Sequence, residues 1–246
     1  VSQIVANLEQ LQTRINRAAG GRPVTLVAVT KTNPLATVIE AYQAGLRYFG
    51  ENRWQEGNDK AAAFKTWLQS QANPQPVEWH FIGHIQSRQA KEVLGGPYNL
   101  LHSVDSLKLA RKIDGLITEH RLAPVNVLLQ CNVSGEESKS GFELYRWQTD
   151  KNQLAAFLAE AQQFIGLKNV KVRGLMTMAP WFDDAELTRP IFSSLAKLNR
   201  TLQTELPELN WQHLSMGMTD DFEVALQEGA TIIRVGRAIF GERNYT

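Results

Sequence analysis

A lysine closes the most apolar strand-like run of the chain. Residues 25–30, Thr-Leu-Val-Ala-Val-Thr, carry no charge, and Lys31 follows at once. A run of that length and composition reads as a strand buried on both faces, as in a parallel sheet. An amine at such a strand end has two uses. It can snorkel to water on its apolar stem. Held in a desolvated pocket, it can instead lose enough basicity to attack a carbonyl and form a Schiff base. The turn Lys31-Thr32-Asn33-Pro34 follows, and the proline opens a helix at Leu35.

A second set of candidates lies near the other end of the chain. Arg234 and Gly236 are two residues apart, so on a strand they share a face. The arginine either pairs with a carboxylate such as Glu51 or aims a donor at a ring nitrogen of a ligand. Ser215 offers a hydroxyl, and Gly217 and Gly236 permit close backbone approach to an anion. The segment Asp220-Asp221-Phe222-Glu223 caps the next helix with carboxylates that would repel an anion. The anion is therefore expected over the amides near Gly236 and Arg237, with Ser215 reaching across.

Other chemistry-bearing residues read as structural. His80 and His84 have an even spacing but no carboxylate or cysteine neighbours, so a hydrogen-bonding role is expected and not metal ligation. Met176, Met178, Met216 and Met218 fall in two i, i+2 pairs, either as core or as a polarisable wall beside a flat ring. Glu136, Glu137 and Lys139 read as solvated charges of a polar loop at residues 134–141, either a connection or a lid. Cys131 is the one cysteine, which excludes an internal disulfide and suits a small buried core residue.

Lys and Arg number 26 against 25 Asp and Glu, so the formal net charge is +1 and no basic face for a nucleic acid is expected. The N-terminus shows no signal peptide, and no apolar stretch approaches the length of a membrane span, which makes cytoplasm the expected location.

These candidates must be placed by elements, and the chain supplies them in alternation. A helix over residues 2–19 precedes the first strand. Strand candidates then follow near residues 25–30, 48–52, 79–84, 100–105, 125–133, 172–178, 211–218 and 231–236, with helices between them. Roughly eight βα units in 246 residues match one (β/α)8 barrel spanning 1–246. An open doubly wound sheet is the rival, but its first turn is usually glycine-rich, and this one contains no glycine. In a barrel the C-terminal strand ends share one mouth. They place there Lys31, Asn52, His84, Asp105, Asn132, Met178, Ser215 and Arg234.

Six blocks carry a resemblance. Val27-Ala28-Val29-Thr30-Lys31, Phe49-Gly50-Glu51-Asn52-Arg53, Trp79-His80-Phe81-Ile82-Gly83-His84-Ile85-Gln86, Gly174-Leu175-Met176-Thr177-Met178, Leu214-Ser215-Met216-Gly217-Met218-Thr219-Asp220-Asp221 and Arg234-Val235-Gly236-Arg237-Ala238-Ile239-Phe240-Gly241 occur in that order. Together they resemble the pyridoxal phosphate homeostasis protein family over essentially the whole chain. The resemblance implies a barrel like the N-terminal domain of alanine racemase, carrying pyridoxal 5′-phosphate (PLP). Lys31 would be the internal aldimine lysine, and Arg234 would face the pyridine nitrogen. Ser215 and the backbone around Gly217 and Gly236 would hold the phosphate, with Asn52 beside the ring. Arg237 stands where relatives also carry a small hydroxyl residue, so only an amide contact is expected there.

PLP is a good electron sink when its ring nitrogen is protonated by an acidic partner. Arginine only donates, so Arg234 would leave that nitrogen unprotonated. Racemases of similar architecture bring a tyrosine base from an added β-domain, and with Thr246 soon after the last strand no such domain is expected. The expectation is a non-catalytic, monomeric carrier that buffers PLP as a Schiff base on Lys31 and passes it to apo-enzymes. A PLP-dependent amino-acid racemase is the alternative, and a PLP-free Schiff-base aldolase is a third reading.

Overall fold

In the computed structural model, which describes residues 2–136 and 139–242, the alternation closes on itself. Glu137, read as a solvated loop charge, lies outside the described residues. The order is α1 (Gln3–Ala19), β1 (Thr25–Val29), α2 (Leu35–Gln43), β2 (Tyr48–Glu51), α3 (Trp54–Gln69), β3 (Glu78–Phe81), α4 (Ala90–Leu94), β4 (Tyr98–Val104) and α5 (Leu107–His120). Then come β5 (Val125–Asn132), β6 (Phe142–Glu143), α6 (Lys151–Gln162), β7 (Val170–Met176), α7 (Arg189–Glu205), β8 (His213–Ser215), α8 (Phe222–Gln227), β9 (Ile232–Val235) and α9 (Arg237–Phe240).

β1 pairs with β2 on one side and with β9 on the other, and every neighbouring pair around the ring is parallel. Eight strands therefore close a barrel with no open edge, and the open-sheet alternative is excluded. The two-residue β6, which the periodicity did not predict, pairs with the end of β5 where β7 diverges.

Strand parity divides the interior in two. Val27, Leu100, Leu128, Met176 and Ile232, one from each of five strands, form a small cluster inside the barrel, with Tyr48 and Met178 packed on it. The alternate residues face outward and join the helices in the larger core. That shell includes Phe49 and Trp79 from the wall and Phe64 from α3, whose rings pack edge-on or tilted at 5.3–5.9 Å. Cys131 has outward parity and is buried there, where desolvation pushes its thiol up. The methionine pairs split by the same rule. Met176 sits inside the barrel and Met216 in the outer shell, while Met218 is exposed.

α1 begins at Ser2, whose hydroxyl accepts from the Val5 amide, and stops at Gly20 in the left-handed region. It packs outside the ring against α8 and α9. There Arg14 and Arg17 both reach Glu223 and the Asn7 amide donates to the Ile239 carbonyl. Among the described residues, no helix is long and apolar enough to cross a membrane.

Candidate functional site

The polar strand-end residues gather at the C-terminal rim, as parity requires. Lys31 is half-buried just beyond β1, and Asn52 is half-buried just beyond β2. Ser215 closes β8, Arg234 lies within β9, Gly236 follows it, and Arg237 starts α9. Asn52 lines a cavity of about 490 Å³ with Trp54, Glu56, Phe81 and His84. His84 stands beyond β3 at this rim, 3.5 Å from Asp105.

Arg234 is 4% exposed and enters the barrel interior. Its guanidinium donates to the Ser215 hydroxyl at 2.5 Å and to the Thr177 carbonyl at 3.0 Å. Burial pulls its pKa down to about 10, against a smaller upward pull from Asp221, so it stays protonated at neutral pH. The pairing with Glu51 considered from sequence does not occur. Glu51 ends β2 next to Asn52 and has the opposite parity, so its carboxylate lies outside the barrel wall while Arg234 lies within it.

Ser215 is completely buried, and its hydroxyl is engaged on two sides. Besides Arg234, it lies 2.9 Å from Nδ1 of His102, whose Nε2 lies 2.9 Å from Nδ1 of His80. A polar line thus runs down the barrel axis, from the rim to a cavity of about 310 Å³ at the opposite mouth, lined by His80, Glu78, Arg173 and His213. Desolvation, then the charges of His80 and Arg234, hold His102 well below the ordinary imidazole range. Sequence reading passed over His102 because it sits in an apolar strand, and its partners are 22 and 113 residues away.

Gly217 has φ +93, and a Cβ there would lie 2.6 Å from the Ala225 Cβ and 2.9 Å from the Phe222 Cα. Only glycine fits that turn. Its carbonyl accepts from the Arg234 amide at 3.0 Å, tying the two rim segments together. Gly236 caps α9, whose first N–H groups lack intrahelical acceptors. The Arg237 side chain turns to Asp220, neutralising one of the acids that would oppose an anion at this rim.

The loop of residues 134–141 is pinned where it is described. The Asn132 amide donates to the Glu136 carbonyl, and its oxygen accepts from Ser134 and the Gly135 amide. Asn132, read only as a strand-end candidate, thus organises this loop.

Behind β1 lies a second network that sequence reading missed. Lys60 of α3 is 8% exposed. Its ammonium donates to Glu51 at 2.8 Å, to Glu56 at 2.8 Å and to the Thr30 carbonyl at 2.7 Å. Glu56 in turn accepts from the Thr32 amide. Thr32 has φ 65, a conformation that a β-branched residue adopts only at a cost of about 1–3 kcal/mol. Burial raises the pKa of Glu51, opposed by hydrogen bonds from Lys60 and Thr30. Desolvation acts the same way on Glu56, but its bonds from Lys60 and Thr32 outweigh it and leave that carboxyl low. The Glu56–Lys60 spacing of i, i+4 was the one local signal.

Three comparisons bear on this barrel. Residues 1–244 match the family model described as alanine racemase, N-terminal domain. The chain is 38% identical over 250 residues to the pyridoxal phosphate homeostasis protein of Vibrio cholerae, covering all of this chain and 96% of that one. It is 37% identical over 254 residues to the protein of the same name from Escherichia coli K12, covering all of this chain and 99% of that one. Among solved structures, PipY of Synechococcus elongatus PCC7942 with PLP bound superposes with a TM-score of 0.79. That match has 34% identity and covers 97% of this chain and 100% of that one. An alanine racemase of Clostridium difficile shares the fold at 14% identity, with a TM-score of 0.64 over 97% of this chain and 57% of that one. With the barrel, its rim and these full-length matches in agreement, the chain belongs to the pyridoxal phosphate homeostasis protein family.

Proposed function

We propose that this chain binds PLP at the C-terminal rim of the barrel and serves as a carrier and buffer of the cofactor without turning over a substrate. The observation that carries the reading is Arg234, a buried donor protonated at neutral pH, standing inside the cofactor-side mouth with no ion-pair partner among the described residues. Such a group suits a ligand that brings a ring acceptor and negative charge. When bound, PLP supplies an aldehyde that condenses reversibly with a primary amine.

In this reading Lys31 supplies the amine, and Arg234 faces the ring nitrogen. Asn52 lies beside the ring. The amides around Gly217, Gly236 and Arg237 hold the phosphate. Ser215 belongs to the site through Arg234, whose guanidinium its hydroxyl seats. Because arginine gives the ring nitrogen no proton to keep, these residues hold the cofactor firmly while leaving it a poor sink for a carbanion. That is the chemistry of storage and delivery, with apo PLP-dependent enzymes as recipients. One domain over residues 1–246, acting as a monomer in the cytoplasm, completes the reading. The similarity to PipY, whose structure has PLP bound, supports it.

The test is to incubate the protein with PLP, reduce with borohydride and locate the pyridoxyl group by mass spectrometry. The modification is expected on Lys31 and absent from Lys31→Ala. Label on other lysines alone would overturn the site. Exchange of an amino acid's α-hydrogen in deuterated water, dependent on Lys31, would overturn the absence of turnover.

A further inference from the structure

The two peptide groups that meet at the Lys31 Cα are each held by a charged side chain from α3. The carbonyl of the Thr30–Lys31 peptide accepts from the Lys60 ammonium at 2.7 Å. The N–H of the Lys31–Thr32 peptide donates to Glu56 at 2.5 Å. Lys60 and Glu56 are bonded to each other at 2.8 Å, and Lys60 is anchored to the fully buried Glu51. The Thr30 hydroxyl also donates to Glu51, at 2.6 Å. Fixing both peptide planes fixes the direction of the Cα–Cβ bond between them, and with it the base from which the lysine reaches.

We propose that Glu51, Glu56 and Lys60 form a clasp that positions Lys31 for attack on an aldehyde. The clasp acts through the backbone on either side of Lys31, and none of its three residues is among those assigned to the cofactor. It holds Thr32 in a left-handed conformation that the residue would otherwise leave. Without the clasp, the turn after β1 would keep only its local bond from the Asn33 N–H to the Thr30 carbonyl, and the lysine's base would be free to swing away from its target. Placing three ionisable groups here, two of them buried, is a poor route to stability compared with apolar packing. Orientation of the amine gives the arrangement a purpose. In the reaction it serves, the neutral form of the Lys31 amine adds to the carbonyl carbon, and the carbonyl oxygen leaves as water carrying both amine hydrogens, one transferred on addition and the other on loss of water.

This inference rests on the proposed role of Lys31, and its test separates the two. Glu56→Ala is the main variant, since Glu56 is partly exposed and its loss leaves the Lys60–Glu51 pair intact. Glu51→Gln/Lys60→Met removes the buried pair as a unit. In the PLP-free protein, amide exchange at Thr32 is expected to speed up by at least roughly tenfold in Glu56→Ala, as its acceptor is gone. On mixing with PLP, borohydride-trapped pyridoxyl-Lys31 is expected to accumulate roughly tenfold more slowly in both variants, the cost of a misdirected nucleophile. Affinity for pyridoxine 5′-phosphate, which has the ring and phosphate but no aldehyde, is expected to stay within about twofold, because the clasp residues are bonded to one another and to the turn and none is assigned to the ligand. A merely structural role would weaken trapping and analogue binding together, and that result overturns the proposal. So does trapping at the wild-type rate in Glu56→Ala. If the wild-type protein itself forms no pyridoxyl-Lys31, the site reading fails, and Thr32 exchange still decides whether the clasp holds the turn.

Discussion

The hydroxyl of Ser215 lies between the guanidinium of Arg234 and the ring of His102, 2.5 Å from one and 2.9 Å from the other. Arginine can only donate, so Ser215 accepts from it, and its own proton is assigned to Nδ1 of His102, the other polar atom bonded to the hydroxyl. That choice puts the His102 proton on Nε2, facing Nδ1 of His80. His80 then presents an N–H to the lower cavity, where the nearest carboxylate oxygen, on Glu78, is 3.7 Å away. One fixed donor at the rim thus sets the tautomer of two histidines beneath it.

Ser215→Ala should therefore cost about 3 kcal/mol, since it strands a buried charged donor and a buried imidazole nitrogen together. Urea denaturation at about neutral pH measures it. A midpoint unchanged from wild type would mean that the hydroxyl is not what seats Arg234.

The stability of the protein should fall as the solution is acidified through the histidine range. His102 is held well below its ordinary value of 6.5 by burial, and His213 is lowered by the same cause. A base with a depressed folded pKa takes up its proton in the unfolded chain first. Its contribution is therefore intact above about pH 6.5 and drains away below it, at about 1.4 kcal/mol per pH unit for each group. His102→Asn should flatten the plot of unfolding free energy against pH between 6.5 and 5 by about one proton. An identical slope in the variant would refute the assignment.

Gly217→Ala should cost about 1–3 kcal/mol for the left-handed backbone and a similar amount for the forced contact with Ala225. The amides proposed to hold the phosphate are expected to shift with it. Calorimetry should show a lowered Tm, and equilibrium dialysis with PLP a weakened complex even where Lys31 is intact. Unaltered PLP affinity in a folded variant would separate this turn from the binding site.

Lys60→Met alone should be among the most damaging substitutions, at about 3–5 kcal/mol, because it leaves Glu51 buried and unpaired. Adding Glu51→Gln should recover part of that loss. Chemical denaturation of the two single variants and the double variant closes the cycle. Strict additivity would show that the pair is not coupled.

Much of this was legible in the residues themselves. The alternation of apolar runs and helices gave the barrel, and the shared C-terminal strand ends put Lys31, Asn52, Ser215 and Arg234 at one rim. Parity also contained the answer to a question left open: Glu51 neighbours Asn52, so a partner for the inward Arg234 could not be there. What stayed hidden was long-range. Lys60 looks like any lysine on an amphipathic helix until the wall of β1 and β2 is laid over it. His102 gains its meaning from Ser215, which no local spacing connects to it. The left-handed Thr32 breaks the preference of its residue type, and the local bond from the Asn33 N–H to the Thr30 carbonyl together with the long-range bond to Glu56 holds it there. The short β6 follows from Gly141, whose φ of +134 lets the loop return against the β5 backbone.

The sealed thiol of Cys131 turns the protein into its own timepiece. With one cysteine in the sequence, lodged between wall and helices, an alkylating reagent has nothing to modify until the barrel comes apart. The pace of labelling under native conditions therefore counts opening events one molecule at a time, and any ligand that slows the count reveals how tightly it grips the closed form.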